Sequence, residues 1–177
     1  MKKFSRTIAL VLYYGFAQYL PKSHTLGDFG GRVRRFICRF IFKKMGKNVN
    51  VEQRAHFGNG SGIEIGDNSG LGINCMIPSD TIIGDNVMMG PNCYILPTNH
   101  CFDRVDIPMN RQGSIISKQT VIGNDIWIGR DVTMTPGRHI ADGSIIGVRC
   151  VLTKDFPEYS IVGGNPSRLI RSRLDND

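Results

Sequence analysis

The sequence predicts a mainly β fold, a three-sided parallel β-helix with an N-terminal helical segment and a protruding loop. Two features indicate it: an aliphatic residue recurs every six positions, and glycine often follows that residue. The stretch TVIGNDIWIGRDVTMTPGRHIADGSIIGV, residues 120–148, shows the pattern at Ile122, Ile128 and Ile146. A six-residue period fits neither a helix, which repeats near 3.6 residues, nor a strand, which repeats at 2. Hexapeptide repeats are typical of a parallel β-helix.

The hexads form two blocks. Their aliphatic or methionine positions are Ile65, Leu71, Ile77, Ile83, Met89 and Ile95, then Ile122, Ile128, Met134, Ile140, Ile146 and Leu152. The fifth position of the hexad is mostly small or β-branched: Ser69, Cys75, Thr81, Val87, Cys93, Ile126, Val132, Ser144 and Cys150. We expect each hexad to give one short strand with its aliphatic side chain inside, and one corner where glycine permits close approach and unusual dihedrals. Three hexads close a coil, so residues eighteen apart stack at about 4.8 Å.

The pattern divides the chain into three parts. Residues 1–48 form a basic helical cap, residues 49–166 form the β-helix, and residues 167–177 form a C-terminal tail. An imperfect coil at 51–64 precedes the strict register, and residues 101–121 break the register and leave the prism as an excursion loop. Long loops on a rigid scaffold are frequent functional sites.

The cap contains two segments with helical character, SRTIALVLYYGFAQYL and GGRVRRFICRFIFKKMG. The second places its apolar side chains on one face and its basic side chains elsewhere. The apolar set is Val33, Phe36, Ile37, Phe40 and Ile41; the basic set is Arg32, Arg35, Arg39 and Lys43. Two interpretations are open: a cap over the end of the prism, or contact with a membrane surface or partner.

The net charge of +7 is concentrated at the N-terminus. Residues 1–50 hold 11 basic side chains and one acid, a balance of +10, whereas residues 51–177 hold 11 basic and 14 acidic side chains, a balance of −3. No nucleic-acid-binding module accompanies the basic segment, so we expect no nucleic acid and favour a membrane surface or an anionic partner. The apolar run Ile8–Leu20 is too short to cross a bilayer, and no signal-cleavage pattern follows it, so we expect it to be retained.

The five cysteines form no CxxC pair, no zinc spacing and no disulfide framework. This usage favours a reducing compartment, and we expect a cytoplasmic protein. Cys75 and Cys93 lie eighteen residues apart and are predicted to stack as small fillers inside the prism, a role also expected of Cys150.

Several motifs resemble those of the left-handed β-helix, hexapeptide-repeat acyltransferases. They are PTNH at 97–100, IGNDIWIG at 122–129, VLTKDFP at 151–157 and IVGGNPSRLIR at 161–171. The resemblance covers about 50–177 and is closest to the maltose/galactoside O-acetyltransferase branch, whose relatives acetylate polysaccharides and streptogramins. The segment YLPKS at 19–23 is similar to the polysaccharide type. The resemblance implies left-handedness, a homotrimer, and acetyl-CoA as the co-substrate without a metal.

Acetyl transfer to an alcohol needs a base, and histidine suits that task near neutral pH. His100 lies where the first block of hexads meets the excursion loop, the place of the family's catalytic histidine, and is therefore the predicted general base. His24, His56 and His139 are interpreted as structural or surface residues. Cys101 invites a covalent Cys-His mechanism, but adjacent side chains on an extended backbone point to opposite sides.

The resemblance also assigns binding residues. Asn74 and Asp80 match positions that hold the acceptor in the family. The chain is two residues shorter than the maltose-type pattern between Asp80 and Ile83, which weakens the match of Asn74. Asn99 is an alternative residue that would orient His100. Each of the three is equally interpretable as a corner residue that satisfies backbone groups.

For acetyl-CoA, the predicted contacts run from the thioester to the nucleotide. A backbone N–H beside Gly129 or Arg130 would stabilise the thioester oxyanion, and Trp127 would lie near the active-site cleft. The pantetheine would pass Gly147 and Val148. The nucleotide end, where phosphates call for cations, would meet Thr153, Lys154, Arg168 and Arg171. Outward packing for Trp127 and solvated surface charge for the basic residues are the alternatives.

The predicted function is acetyl-CoA-dependent O-acetylation of a sugar hydroxyl, in surface polysaccharide synthesis, by a homotrimer in the cytoplasm or at the inner face of the membrane. Serine, streptogramin-type xenobiotic or sugar N-acetylation are alternatives within the enzyme class. A carbonic anhydrase on the same prism would need three histidines converging on zinc, a spacing that the four histidines lack. A noncatalytic scaffold is the remaining alternative.

Overall fold

The computed structural model describes residues 2–115 and 118–175, and the side chains from Arg6 onward. Two residues of the predicted loop, 116 and 117, and the last two of the predicted tail lie outside the described residues. Two helices, α1 (Lys2–Gly15) and α2 (Phe29–Cys38), pack on the first coil of a three-sided prism. Short 3₁₀ turns occur at Ala17–Tyr19, Leu26–Asp28 and Met109–Arg111.

The prism is built from strands of two to five residues. In chain order they are β1 (Lys44–Met45), β2 (Asn50–Val51), β3 (Glu64–Ile65), β4 (Gly70–Leu71), β5 (Ile82–Ile83), β6 (Val87–Met89), β7 (Tyr94–Ile95), β8 (Asn99–His100), β9 (Ser114–Ile115), β10 (Val121–Ile122), β11 (Ile126–Ile128), β12 (Thr133–Met134), β13 (His139–Ile140), β14 (Ile145–Ile146), β15 (Val151–Leu152), β16 (Ser160–Gly163) and β17 (Arg168–Ser172). Their brevity follows from the corner that ends every hexad.

The coil strands stack in parallel to form three faces. Face A contains β1, β3, β5, β10 and β13; face B contains β2, β4, β6, β11, β14 and β16; face C contains β7, β12 and β15, extended downward by bridges through Met76 to His56. Between regular coils the paired residues are eighteen apart, as in Ile65 with Ile83 and Ile122 with Ile140. The first coil is imperfect as expected: Met45 pairs with Ile65, twenty residues away.

The side chains predicted to point inward fill the interior of the prism. Of the twelve aliphatic or methionine positions, eleven are buried and Met89 is partly buried. All nine fifth-position residues are buried as well, including Ser69 and Ser144. The buried hydroxyls are satisfied locally, since Ser69 Oγ donates to Gly84 O at 2.6 Å and Ser144 Oγ donates to Ala141 O at 2.6 Å. The hexad register therefore predicts the core residue by residue.

Backbone conformation at the corners differs from expectation. The residue with positive φ is the third after the aliphatic position, usually asparagine or aspartate, as at Asn68 (φ 57) and Asn86 (φ 58). Asparagine and aspartate tolerate this left-handed conformation better than other side chains. The glycine that directly follows the aliphatic residue has a different role. A Cβ on Gly72 would lie 2.1 Å from Gly90 O in the next coil, so glycine is required there for close approach.

Replacing Gly72 with alanine is expected to lower the free energy of unfolding by about 1–3 kcal/mol, because the added methyl group would push two coils apart. Thermal unfolding followed by circular dichroism measures the change. Gly15→Ala is the matched control, since a Cβ there meets no atom within 4 Å. Equal midpoints for the two variants would contradict the close-approach explanation.

The excursion leaves the prism at the corner between faces C and A. Ile83 pairs with Ile122, 39 residues away instead of 18, which leaves 21 extra residues. The length matches the predicted loop, but the excursion begins earlier. β8 already belongs to it, because Asn99 and His100 pair antiparallel with Ile115 and Ser114. It also ends earlier than predicted, because Val121 has returned to face A.

The second helix is shorter than predicted, because the chain enters the first coil sooner. The amides of Lys43 and Lys44 donate to Ile63 O at 2.9 and 3.2 Å, and Gly46 N donates to Ile65 O at 2.8 Å. These bonds belong to the coil ladder and replace helical ones. The prism thus begins at β1, a few residues before the predicted boundary at 49. Among the described helices, none is long and apolar enough to cross a bilayer.

The orientation of α2 corrects the predicted apolar face. Ile37 and Ile41 are buried, but Phe36 and Phe40 are 61% and 49% exposed. The helix turns a different set of side chains toward the prism, which includes the fully buried Arg34. The inner side of α2 therefore acts as a cap, while its outer side leaves aromatic rings at the surface.

Candidate active site

The predicted base lies on a hairpin arm that projects from the C/A corner. His100 is exposed on β8, and its backbone is held by pairing with Ser114. Its own N–H donates to the side-chain oxygen of Asn99 at 3.0 Å. Asn99, predicted as a partner that orients His100, therefore contacts the backbone of His100 through its side-chain oxygen. Thr98 adds a further tie, since its hydroxyl donates to Ile115 O at 3.0 Å.

The tip of the excursion is organised by one glutamine. The Gln112 side chain donates to Arg104 O at 2.7 Å and to Ile107 O at 3.0 Å, and accepts from Arg104 N at 3.1 Å. A single amide thus joins both sides of the loop. The residues that it holds in place present apolar side chains to the outside, with Val105 fully exposed and Met109 63% exposed. The loop is thus held by its own hydrogen bonds, although its outer surface is uncovered in one chain.

Replacing Gln112 with alanine is expected to lower turnover about tenfold if His100 is the base as predicted, because a loop released by its central amide no longer holds that histidine in position. The free energy of unfolding should change by less than about 1 kcal/mol, since these hydrogen bonds lie outside the prism. Steady-state kinetics and thermal unfolding measure the two effects. Gln53→Ala is the control, because that side chain donates to Tyr19 O at the opposite end of the prism. Unchanged turnover in the Gln112 variant would show that the loop needs no internal support.

Two clefts flank the base of the hairpin. The lower cleft, of about 270 Å³, is bordered by Pro97 and Ser79 and by the outward side chains of face C, among them Tyr94 and Met76. The upper cleft, of about 400 Å³, lies between the hairpin and the two C/A corners above it, at residues 135–138 and at Asp155. Asn99 borders the upper cleft, next to His100 in sequence. The hairpin thus stands between an apolar and a polar recess.

The upper cleft contains cationic side chains. Lys118 and Arg138 line it, together with Asp155. Arg138 is anchored, since its guanidinium donates to Thr153 O at 3.1 Å and lies 3.4 Å from Asp155 Oδ1. Sequence reasoning missed both Lys118 and Arg138. Lys118 falls just before the register resumes and Arg138 occupies a corner, so only the stacking of coils brings them together.

The predicted acceptor residues lie at two different edges. Asp80 is exposed at the C/A corner one coil below the hairpin, and its carbonyl accepts from the Gln119 side chain at the end of the excursion. Asn74 is at the B/C corner with φ 55 and donates to Asn92 Oδ1 at 3.1 Å. Asn92 in turn donates to Asp131 Oδ1 at 2.8 Å. This ladder of corner side chains fits the structural interpretation of Asn74.

The residues predicted to hold the thioester and pantetheine lie away from His100. Trp127 projects from face B, is 52% exposed and pairs with Met88 and Ile145. Gly129 and Arg130 follow at the B/C corner, and Gly147 and Val148 occupy the same corner one coil higher. Face C separates this corner from the C/A corner that carries the hairpin. One chain therefore does not bring the two groups together.

Backbone bonding distinguishes the predicted oxyanion donors. The amide of Gly129 donates to Ile146 O at 2.8 Å, and the amide of Gly147 donates to Val162 O at 2.7 Å. Both are therefore occupied by the coil ladder. Arg130 follows Gly129 and Val148 follows Gly147, and both of these corner residues are exposed, Val148 to 61%.

The residues predicted for the nucleotide end occupy the last coil and the tail. Thr153 and Lys154 are exposed at the C/A corner above the upper cleft, and Lys154 Nζ lies 5.3 Å from the centroid of Phe156. The amide of Thr153 donates to Ser167 Oγ at 3.1 Å. Arg168 and Arg171 are exposed on β17, which folds back antiparallel on β16 at the end of face B. The structure thus places Thr153 and Lys154 at the C/A corner, and Arg168 and Arg171 at the end of face B.

The cysteines fit the predicted filler role. Cys75 and Cys150 are fully buried, and burial raises the pKa of both thiols. Burial also raises the pKa of Cys93 to about 11, and its thiol lies 3.2 Å from Gly90 O and Gly129 O. Across residues 2–115 and 118–175, no three His, Cys, Asp or Glu side chains are placed to hold a metal ion.

Comparison with known proteins identifies the family. Residues 62–97 match the family described as bacterial transferase hexapeptide (six repeats). The galactoside O-acetyltransferase of Escherichia coli (strain K12) is 36% identical over 146 residues, which are 81% of this chain and 70% of the relative. The chain belongs to the hexapeptide-repeat acetyltransferase family. The predicted recognition of this family and of its galactoside and maltose branch is confirmed, as is the acyltransferase class.

Two further comparisons set the extent of this likeness. A chloramphenicol acetyltransferase of Agrobacterium fabrum is 49% identical over 65 residues, which are 37% of this chain but only 31% of the relative, so the chain spans less than a third of it. The structure of a hexapeptide-repeat acetyltransferase from Vibrio cholerae O1 biovar eltor, complexed with acetyl coenzyme A, aligns with a TM-score of 0.79 and 27% identity over 98% of this chain and 89% of that one. The predicted left-handed parallel β-helix of this acetyltransferase family is confirmed.

Proposed function

We propose that this acetyltransferase moves the acetyl group of acetyl-CoA to a hydroxyl group of a sugar. The observation that carries the proposal is the placement of His100, exposed on a hairpin that is flanked by two clefts, one of them lined by cations. The likeness to a galactoside O-acetyltransferase supports a sugar acceptor, and the acetyl-CoA complex of the Vibrio protein supports the donor.

In the proposed reaction the His100 imidazole accepts the proton of the acceptor hydroxyl as its oxygen attacks the thioester carbonyl carbon. The carbonyl oxygen becomes an oxyanion, and the amide of Arg130 is the donor that we assign to it, because the Gly129 amide is occupied. When the intermediate collapses, the C–S bond breaks and the imidazolium returns its proton to the CoA sulfur. The products are the O-acetyl ester and CoA, and Cys101 forms no covalent intermediate.

We propose that the complete site is shared between two copies within a homotrimer. His100 and Trp127 lie on opposite sides of face C, so one chain supplies only half of the predicted contacts. A neighbouring copy whose face B meets the hairpin would complete the site. The exposed loop residues Val105 and Met109 would then be covered by the neighbour.

Within such a site, the cofactor would lie along the edge above the hairpin. Trp127, Gly147 and Val148 would border the pantetheine from one copy. Cations would meet its phosphates, because phosphate oxygens pair with guanidinium and ammonium groups. The cations are Lys154, with Thr153 beside it at the C/A corner, and Arg168 and Arg171 at the end of face B. Asp80 and Asn99, on the hairpin's own edge, would contact the acceptor, and Asn74 would reach it only from a neighbouring copy.

We place the protein in surface polysaccharide synthesis, in the cytoplasm and in contact with the inner face of the membrane through residues 1–50. The positive balance of that segment and the exposed aromatic rings of α2 support membrane contact. Nucleic acid has no part in this proposal.

The test is a thiol-release assay with acetyl-CoA and a panel of galactosides, other sugars, serine and streptogramins. Release that depends on a sugar hydroxyl supports the proposal. Release only with serine, a streptogramin or an amino sugar would replace it with one of the alternatives. No release with any acceptor would favour a noncatalytic scaffold.

The shared site has its own test. We expect His100→Ala and Trp127→Ala each to lose most of the activity when alone. Their co-expressed mixture should recover part of it, because some interfaces then contain both native residues. A mixture as inactive as its parents would overturn the shared site.

A further inference from the structure

After its basic first residues, Lys2, Lys3 and Arg6, helix α1 is apolar on both sides. Its inner side packs on the prism: the Tyr13 hydroxyl donates to Ala55 O at 2.8 Å, and the Tyr13 ring lies 4.7 Å from that of Phe57. Its outer side is equally apolar, and no charged residue occurs between Thr7 and Leu20. The exposed fractions on the outer side are 46% for Ile8, 67% for Val11, 48% for Leu12 and 57% for Phe16. An exposed apolar side of this size is typically covered by an apolar partner.

The outer side of α2 alternates aromatic and basic residues. Phe29, Arg32, Phe36, Arg39 and Phe40 are all exposed, and their spacing places them on one stripe. The rings of Phe36 and Phe40 meet edge to face at 5.4 Å. The stripe therefore combines this aromatic pair with two exposed cations, Arg32 and Arg39.

A groove runs between the two helices. It has a volume of about 240 Å³, and all of its lining residues are apolar: Ile8, Ala9 and Leu12 from α1, and Phe36, Ile37 and Phe40 from the α2 side. Ala9 and Ile37 are buried, whereas the other four are exposed. The exposed side chains thus stand around a buried apolar floor.

We propose that this outer helical surface, formed by Ile8, Val11, Leu12, Phe16, Phe36 and Phe40 with Arg32 and Arg39, inserts into the interfacial region of an anionic lipid bilayer. The apolar side chains would enter the acyl boundary, while Arg32 and Arg39 pair with headgroup phosphates. Helix α1 would lie along the membrane plane, since it is too short to span it. The inference rests on the membrane contact proposed above and is independent of the acetyl-transfer chemistry.

Charge favours a bilayer over a second copy of the chain. In a two-fold contact the same patch meets itself, so Arg32 and Arg39 would face arginines of like charge. An anionic headgroup layer offers the opposite charge to both, and residues 1–50 carry a balance of +10. The neighbouring Arg35 is already paired with Asp28 at 3.4 Å.

The test is co-sedimentation of the full chain with two kinds of vesicle. One contains equal parts phosphatidylglycerol and phosphatidylethanolamine, and the other contains phosphatidylcholine alone. We expect binding to the anionic vesicles only. Phe36→Ser with Phe40→Ser should weaken that binding at least about tenfold, because two aromatic rings lose their apolar burial. Arg32→Glu with Arg39→Glu should weaken it to a similar degree and reduce its dependence on salt.

Matched controls separate the surface from general effects. Leu174→Ser removes an exposed apolar side chain elsewhere and should bind like the parent. Thermal unfolding should be unchanged in every variant, because all the replaced side chains are exposed. Thiol release with a soluble acceptor should be unchanged in the α2 variants, which distinguishes this inference from the enzymatic proposal.

Three results would overturn the inference. If the parent chain binds neither vesicle, membrane contact itself fails. If the parent binds and the phenylalanine variant binds equally, the outer helical surface is not the contact. If that variant has a lower mass than the parent in the absence of lipid, the groove covers a second copy instead.

Discussion

Replacing His100 with alanine is expected to lower the rate of acetyl transfer by about 10²–10⁴-fold, the range that a lost general base typically costs. The midpoint of thermal unfolding should not change, because the His100 side chain is exposed and only its backbone takes part in pairing with Ser114. Thiol release at saturating acetyl-CoA measures the first effect, and circular dichroism measures the second. The loss should appear in kcat, since the imidazole is assigned to the transition state rather than to substrate binding.

The matched control is His139→Ala. His139 is also exposed, but it lies on face A, and its backbone amide donates to Asp155 Oδ1 at 3.0 Å. We expect that variant to retain the parent rate. If the His100 variant were as active as the parent, the base assignment would be wrong. Equal losses in both variants would point to an effect on the prism rather than on the chemistry.

The core was predictable because the hexad period is strict. Each aliphatic residue, such as Ile83 or Ile122, falls on the inner side of a strand whichever face it occupies. Its burial can therefore be predicted without knowing which residues lie in the neighbouring coil. The corners were less predictable. Glycine after the aliphatic position and asparagine two residues later both mark a corner, but only stacked coils show that Gly72 avoids Gly90 O while Asn74 carries the positive φ.

The candidate site was predictable only in part. The resemblance to the family implies that His100 is the base, and the structure places this histidine on the hairpin arm that leaves where the register breaks. Two predicted residues share an edge of the prism only if whole coils of three faces separate them along the chain. By this criterion Trp127, on face B, and His100, on the hairpin, lie at different edges. Lys118, Arg138 and Gln112 carry no motif of their own. Their roles depend on contacts between coils and within the loop, which local sequence does not encode.

Helix α2 illustrates how tertiary packing overrides a local pattern. Its spacing predicts an inward apolar stripe that includes Phe36 and Phe40, yet the prism receives Arg34 instead. The guanidinium fills a site rich in backbone acceptors at the junction of three segments. Nε donates to Val51 O at 2.6 Å, and Nη1 lies 3.0 Å from both Leu20 O and Pro21 O. No apolar side chain would satisfy these carbonyls.

Glu52 completes this buried cluster. Its carboxylate lies 3.7 Å from Arg34 Nη2 and accepts from Ser23 N at 3.2 Å and from Asn50 Nδ2 at 3.0 Å. Burial would raise the pKa of Glu52, but the hydrogen bonds from Ser23 and Asn50 outweigh it and the pKa is lowered. A carboxyl group whose folded pKa is lowered stabilises the fold above its ordinary pKa, and this contribution is lost as the pH falls through the folded value. The junction is therefore expected to weaken in acid.

Replacing Arg34 with methionine is expected to lower the free energy of unfolding by about 3–5 kcal/mol, because the buried Glu52 carboxylate loses its counter-ion and the three carbonyls lose their donor. The matched control is Arg32→Met on the outer side of the same helix, where the change should stay within about 0.5 kcal/mol. Thermal and urea unfolding at neutral pH measure both variants.

A second substitution identifies the cause of the loss. Arg34→Met combined with Glu52→Leu should recover part of the stability, since removing both charges is less costly than leaving one buried alone. The carbonyls of Leu20, Pro21 and Val51 still lack their donor, so recovery should be incomplete. If the double variant were less stable than the single one, the ion pair would not be the source of the loss, and the guanidinium would act mainly through the backbone of the junction. Either way, an arginine that the local pattern does not mark holds the helical cap on the prism, and with it the surface that we assign to the membrane.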